Sequence, residues 1–199
     1  DIRDEAQNKF MPFAHHVYEN FIEGQHHRII AEKLERVARG ELKRLIINMP
    51  PRHTKSEFAS YLFPAYLVGK NPGLKIIQAT HTADLAVRFG RKIRDLVDTD
   101  DYRQIFPNVE LNPESKAAGR WETRTKDGQP GGAIVMVMTR WSKKDLTGRV
   151  VKKMMESDEA DQWEIIELPA ILPSGKPLWA GYWPLPELEK IKASISPSK

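Results

Sequence analysis

The chain has 199 residues, 40% hydrophobic and 29% charged, with a formal net charge of +4 and no cysteine. That length accommodates one domain with a substantial core, or one domain and an appendage, and the composition is that of a globular protein. The absence of cysteine excludes disulfide scaffolds and thiolate metal centres and makes a reducing compartment the simpler reading. The longest apolar run, Ala133 to Met138, is far short of the ~20 residues of a membrane span.

The chain opens on "DIRDEAQNKF", too charged for a secretory leader. A helix is predicted over 13–23, with Phe13, Val17, Phe21 and Ile22 at helical spacing and Gly24 ending it. A second, over 26–41, turns Ile29, Ile30, Leu34 and Val37 inward and stops at Gly40. The β-favouring run 42–49 follows, then a helix from Lys55 to about Val68 that Pro64 should kink. "NPG" at 71–73 is a turn, 74–80 a strand and 82–97 a helix with Leu85, Phe89, Ile93 and Leu96 inward. Residues 100–130 read as irregular, with a short strand at 121–125. A buried strand over 133–139, a helix over 142–157 and a strand over 162–169 complete the alternation, and a Pro- and Trp-rich tail carries one short helix near Pro186–Ala193. Strand–helix–strand alternation favours crossover connections and a mostly parallel sheet flanked by helices, an α/β fold. A pI near 9.2 suits a polyanionic partner without requiring one.

The junction "LIINMPPRHTKSEFAS" (45–60) carries the chemistry. An apolar strand stops at Pro50 and Pro51, and Lys55 and Ser56 precede an amphipathic helix. In a phosphate-binding loop, backbone N–H groups and the next helix N-terminus surround an anion. The lysine reaches the β- and γ-phosphates, and the following hydroxyl holds Mg²⁺. The regular pattern, G-x-x-x-x-G-K-[ST], would put glycines at Met49 and Thr54, and neither is glycine. On that pattern alone the plainer reading is a helix start after a proline turn.

The wider stretch "RVARGELKRLIINMPPRHTKSEFAS" resembles the ATPase domain of the large terminase subunits of tailed bacteriophages, the motors that package DNA. Those proteins carry a variant loop of P-P-R-x-G-K-S type. Pro50, Pro51, Arg52, His53, Lys55, Ser56 and Glu57 fit it. Thr54 departs, since a β-branched residue resists φ > 0 and crowds the phosphate approach. The resemblance implies that residues 51–57 (Pro51, Arg52, His53, Thr54, Lys55, Ser56 and Glu57) bind ATP, with Ser56 on Mg²⁺ and Arg52 sensing or stabilising the γ-phosphate.

Further segments resemble the same family. "QHHRIIAEKLERVARGE" is similar to the helix entering its ATPase fold, which implies Gln25 and His26 near the adenine. As residues, His26 and His27 are a poor metal pair and read as a solvated helix start. "IIQATHTADLAVRFGRKIRDLV" is similar to the family's second strand and following helix. Arg88, Arg91 and Lys92 share a face of that helix, by default solvated, otherwise for phosphate contact with DNA or a neighbouring subunit. "GGAIVMVMTRWSKKDLTGRVV" resembles the family's coupling segment, with Thr139 at a γ-phosphate or the attacking water and Arg140 and Trp141 transmitting the change. Residues 1–172 would then be a P-loop NTPase-type domain and 173–199 the start of a lid or linker.

Such a motor needs an apolar strand ending in an acid that holds Mg²⁺, and a second acid that orients water. Asp98, Asp100 and Asp101 follow a helix rather than a strand, and Glu167 follows only two apolar residues. The resemblance places roughly 50 residues, a strand and a helix with their connections, between Gln129 and Pro130. It puts the missing acid and a trans-acting arginine there. The family's nuclease domain is not expected before Lys199. What the resemblance implies is an Mg²⁺-dependent ATPase translocating double-stranded DNA, with the portal protein and procapsid and the small terminase subunit as partners. It would assemble as a homo-oligomeric ring, without a membrane, in the host cell cytoplasm during virus assembly. The alternatives are a helicase-like nucleic-acid remodeller and a degenerate, non-hydrolysing P-loop binding module.

Overall fold

A computed structural model describes residues 2–76, 78, 83–117, 120–124, 134–138, 146–157 and 160–195. It is a mixed α/β structure whose centre is a small parallel sheet. The elements run α1 (Ile2–Asn8), α2 (Phe10–Val17), α3 (Gln25–Ala38), β1 (Arg44–Asn48), α4 (Phe63–Lys70), α5 (Ala83–Val97) and α6 (Asp100–Ile105). They continue as β2 (Glu110–Ala117), β3 (Arg120–Arg124), β4 (Ile134–Met138), α7 (Leu146–Glu156), β5 (Glu164–Glu167) and α8 (Leu185–Ile195).

The sheet order is β4-β1-β5, all parallel, with Ile47 opposite Val137 and Ile166. The unbroken apolar run of β1 fits a central strand covered on both faces, and Leu45, Ile46 and Ile47 are fully buried. Helix α3 is tied to β5 by Lys33 and Arg36, both on the Glu164 carboxylate at 2.8 and 2.9 Å. Its C-terminus stops as the sequence predicts, with Gly40 in the left-handed region at φ 75°.

Several boundaries differ from expectation. Helix α2 ends at Val17, because Tyr18 is extended and Asn20 has φ 56°. Gly24, read as the end of that helix, instead precedes α3 as its N-cap. Two helices and a strand were not expected: α1, α6 and β2. Thr99 caps α6, accepting from the Tyr102 N–H at 3.3 Å, and β2 pairs antiparallel with β3 inside the stretch read as irregular. Of the predicted strand 74–80, residues 74–76 and 78 are unassigned to a strand and the rest lie outside the described residues.

The helix after the loop runs without a break past Pro64. A π-helical turn, Glu57–Leu62, leads directly into α4. Pro64 has no N–H to give the Ser60 carbonyl four residues back, and the Gln78 side-chain amide donates to that carbonyl at 2.8 Å instead. The expected kink is met by a change of helical pitch and a substitute donor.

The main core lies between α2, the π turn, α4 and α6. Phe10 meets Phe58 edge-on at 5.2 Å and Phe63 at 5.6 Å, and Phe13 meets Tyr102 at 6.0 Å. This aromatic block supports the back of the helix that leaves the β1 loop.

A candidate phosphate-binding loop

The parallel sheet turns the carboxyl ends of β1, β4 and β5 to the same side, the edge at which open α/β sheets bind ligands. Asn48, the last residue of β1, pairs there with Met138 and Glu167. The chain then passes through Met49, Pro50 and Pro51 to a helix opened by the Phe58 N–H on the Thr54 carbonyl at 2.9 Å. A helix start leaves its first N–H groups without acceptors inside the helix, and here they front the loop.

Arg52 and Thr54 both have φ 59°, while His53 between them does not lie in the left-handed region. Alternating handedness of this kind gathers successive N–H groups into an anion-binding nest. Thr54 occupies the position where the regular motif has glycine, and it adopts the glycine conformation. For a residue with a Cβ this costs about 1–2 kcal/mol.

A chain of hydrogen bonds through the buried His27 accommodates that cost. The Gly24 N–H donates to Nδ1 of His27 at 2.8 Å, which fixes the His27 proton on Nε2. That Nε2–H meets Thr54 Oγ1 at 2.6 Å, and the Thr54 hydroxyl donates onward to the His53 carbonyl at 2.7 Å. Each proton in the series has one direction, and the series requires a neutral His27. Burial first, then the neighbouring His26 and His53, push the His27 pKa down to about 3.

His26 and His27 are therefore not a solvated helix start: both are 0% exposed. The cause is the C-terminal tail. Trp179, 5% exposed, packs on His26 at 5.2 Å and on His27 at 5.1 Å. Gly24 permits the approach, since a Cβ there would stand 2.6 Å from the Trp179 ring and 2.8 Å from that of His26. Burial, with the charge of His53 adding to it, pushes the His26 pKa down to about 4 against a slight upward pull from the His53 main chain. That approach is not a well-formed hydrogen bond, and neither His26 ring nitrogen has one among the described residues; His53 Nε2 and Trp179 Nε1 are likewise buried and unpaired among them.

The remaining loop side chains divide into held and free. His53 donates through Nδ1 to the Pro51 carbonyl at 2.9 Å and stacks on Trp183 at 6.3 Å with 20° between the rings. The Trp183 indole N–H donates to the Arg52 carbonyl at 3.2 Å, so the tail grips the loop by its main chain. Lys55 donates to the Pro50 carbonyl at 3.1 Å, and burial lowers its pKa. Pro51 and Arg52 are exposed at the tip, and Arg52 has no ion-pair partner among the described residues. The Ser56 hydroxyl, half-buried at the helix start, has no hydrogen-bond partner among them either. A free hydroxyl beside a lysine and a nest is a donor set that fits Mg²⁺ carrying phosphate.

Glu57 turns away from the loop to the α5 ammonium of Lys92 at 2.7 Å, and that ammonium also lies over the Tyr61 ring at 4.4 Å. Of the predicted basic face, Lys92 is thus engaged with the loop helix. Arg88 and Arg91 are exposed without ion-pair partners among the described residues. Gln25 is exposed and His26 enclosed. Thr139, Arg140 and Trp141 lie outside the described residues, as do Gln129 and Pro130; β4, which leads to Thr139, ends beside Asn48. The register also brings Glu167 opposite Asn48, an acid that sequence reading passed over.

Reading the sequence missed His27, Trp179 and Trp183 as partners of the loop. The available signal was the aromatic density of "PLWAGYWP", too rich for an ordinary surface tail. Comparison with models of known protein families, with curated proteins and with solved structures finds no match to this chain.

Proposed function

We propose that the chain is the ATPase domain of a DNA-packaging motor of the large terminase kind, with a P-loop NTPase-type sheet and Mg²⁺-ATP at the loop 50–56. The observation that carries this reading is Thr54 at φ 59°, directly before Lys55 and Ser56 at the carboxyl end of a central parallel strand. A chance Lys-Ser after a proline turn has no reason to hold a β-branched residue in a glycine conformation, still less to dedicate a buried histidine to it. The cradle of N–H groups would bind the phosphates. Lys55 would move from the Pro50 carbonyl to the β- and γ-oxygens, and Arg52 at the exposed tip would meet the γ-phosphate. Ser56 would hold Mg²⁺, which would supply neutralisation of phosphate charge. The acid that orients water is expected from the segment placed between Gln129 and Pro130, and Thr139 from the strand beside β1. Arg88 and Arg91 supply positive charge for the DNA backbone.

Nucleotide binding and turnover test the reading. The protein is expected to bind Mg²⁺-ATP and, complete with the segment placed between Gln129 and Pro130, to hydrolyse it, with Lys55→Ala lowering turnover by about 10²-fold or more. Failure of the wild type to bind any nucleotide would sink the proposal. Binding without turnover, on DNA or procapsids, would leave a non-hydrolysing module. Turnover coupled to strand separation instead of DNA packaging would make it a helicase-like remodeller.

A further inference from the structure

Resting on that reading of the loop, we infer that the nucleotide base stacks on Tyr182, so that the aromatic tail and not His26 forms the base subsite. His26 is 0% exposed and walled in by His27 at 3.8 Å and Trp179 at 5.2 Å, so it has no face to offer a base. Tyr182 has one. Its ring lies parallel to Trp179, at 4.6 Å and 17°, and it is 51% exposed. One face rests on a buried indole, and about half of the residue is exposed.

The platform is fixed to the loop. Trp183, the next residue, donates its indole N–H to the Arg52 carbonyl and stacks on His53, and Tyr182 stands one ring away from it at 5.5 Å. Trp179 anchors the same turn to α3 through His26 and His27, and the Tyr182 N–H bonds to the Trp179 carbonyl at 3.1 Å. An exposed aromatic ring held rigid from behind offers stacking at little cost in side-chain entropy. Stacking is tolerant of base identity because every base has a π-face, so this subsite takes nucleoside triphosphates without itself choosing the base.

Calorimetric titration of the protein with Mg²⁺-ATP and with Mg²⁺-tripolyphosphate, which has the phosphates and no base, separates the two layers of the argument. Wild type is expected to bind ATP more tightly than tripolyphosphate. Tyr182→Leu, which keeps an apolar cover on Trp179, should weaken ATP about tenfold, equivalent to about 1.4 kcal/mol, and leave tripolyphosphate unchanged; Tyr182→Phe should retain wild-type affinity for both. Lys55→Ala should weaken both ligands. If Tyr182→Leu binds ATP like the wild type while tripolyphosphate still binds, the base lies elsewhere and the inference fails with the loop reading intact. If wild type binds neither ligand, the loop reading fails and takes this inference with it.

Discussion

Two aromatic clusters meet at Phe58, on the helix that leaves the β1 loop, and they are built on opposite rules. In the back cluster, Phe10, Phe13, Phe58, Phe63, Tyr66, Tyr102 and Phe106 form an apolar block. Its deepest polar group, the Tyr102 hydroxyl, is satisfied by the Ala65 carbonyl at 2.7 Å. In the front cluster, His26, His27, His53, Trp179 and Trp183 also pack ring against ring. There, however, two ring nitrogens of His26, one of His53 and the indole nitrogen of Trp179 are buried without partners among the described residues. An unmade hydrogen bond costs about 1–3 kcal/mol per buried group, so the front cluster is a poor way to gain stability. His27, with both ring nitrogens hydrogen-bonded, is the member that touches Thr54. The back cluster holds the helix in place, and the front cluster holds the loop in an unfavourable shape.

The largest stability effect is therefore expected from the back cluster. Phe10→Ala removes a fully buried ring at the centre of four aromatic contacts and should cost about 3–5 kcal/mol of unfolding free energy, read in denaturant. A loss under 1 kcal/mol would mean that the block is not the core. The front cluster responds to acid instead. His26 and His27 have pKa values lowered to about 4 and about 3, against about 6.5 in the unfolded chain. Above about pH 6.5 neither state takes up the protons and there is no effect. As pH falls below it, the unfolded chain binds protons that the folded one refuses, so stability falls, until the folded-state values are reached. Between pH 6 and 5 the pair should remove roughly 2 kcal/mol. A double His26→Phe, His27→Phe variant should lose most of that slope; an unchanged slope would place the acid sensitivity elsewhere.

The same contrast explains what could be read in advance. The apolar run of β1, its stop at Pro50 and Pro51 and the amphipathic helix beyond are local signals, and the loop falls where they put it. The alternation of strands and helices likewise pointed to parallel pairing of β1 with β4 and β5. Helix α6 was signalled by Thr99 followed by Asp100 and Asp101, a capping threonine with acids in the first turn, but those acids read equally well as the trailing end of α5. Strand β2 carries Pro113 and an irregular register between Leu111 and Lys116, so it lacks the period-two pattern that marks a strand. Gly24 was legible as a boundary but not as to which helix it bounds. The burial of His26 and His27 depends on Trp179, more than 150 residues later in the chain, and no local pattern reports a contact of that range.

The sharpest test of the division between the clusters is at Thr54 itself. Thr54→Gly relieves a left-handed conformation worth about 1–2 kcal/mol but strips the acceptor from the buried His27 Nε2–H, a loss of about 1–3 kcal/mol. The two terms nearly cancel, and the single variant should change stability by about 1 kcal/mol or less. His27→Phe keeps the ring that packs on Phe21 and Phe58 at 4.8 Å each while removing the donor, and so leaves Thr54 strained and unsupported. If His27 exists to hold Thr54, then with glycine at 54 the histidine has nothing left to hold. The double variant should be more stable than the sum of the singles predicts, by about 1 kcal/mol, in a double-mutant cycle. Strict additivity would mean that the 2.6 Å contact between them supports nothing, and that the glycine-like shape of this loop is kept by the grip of Trp183 on the Arg52 carbonyl instead.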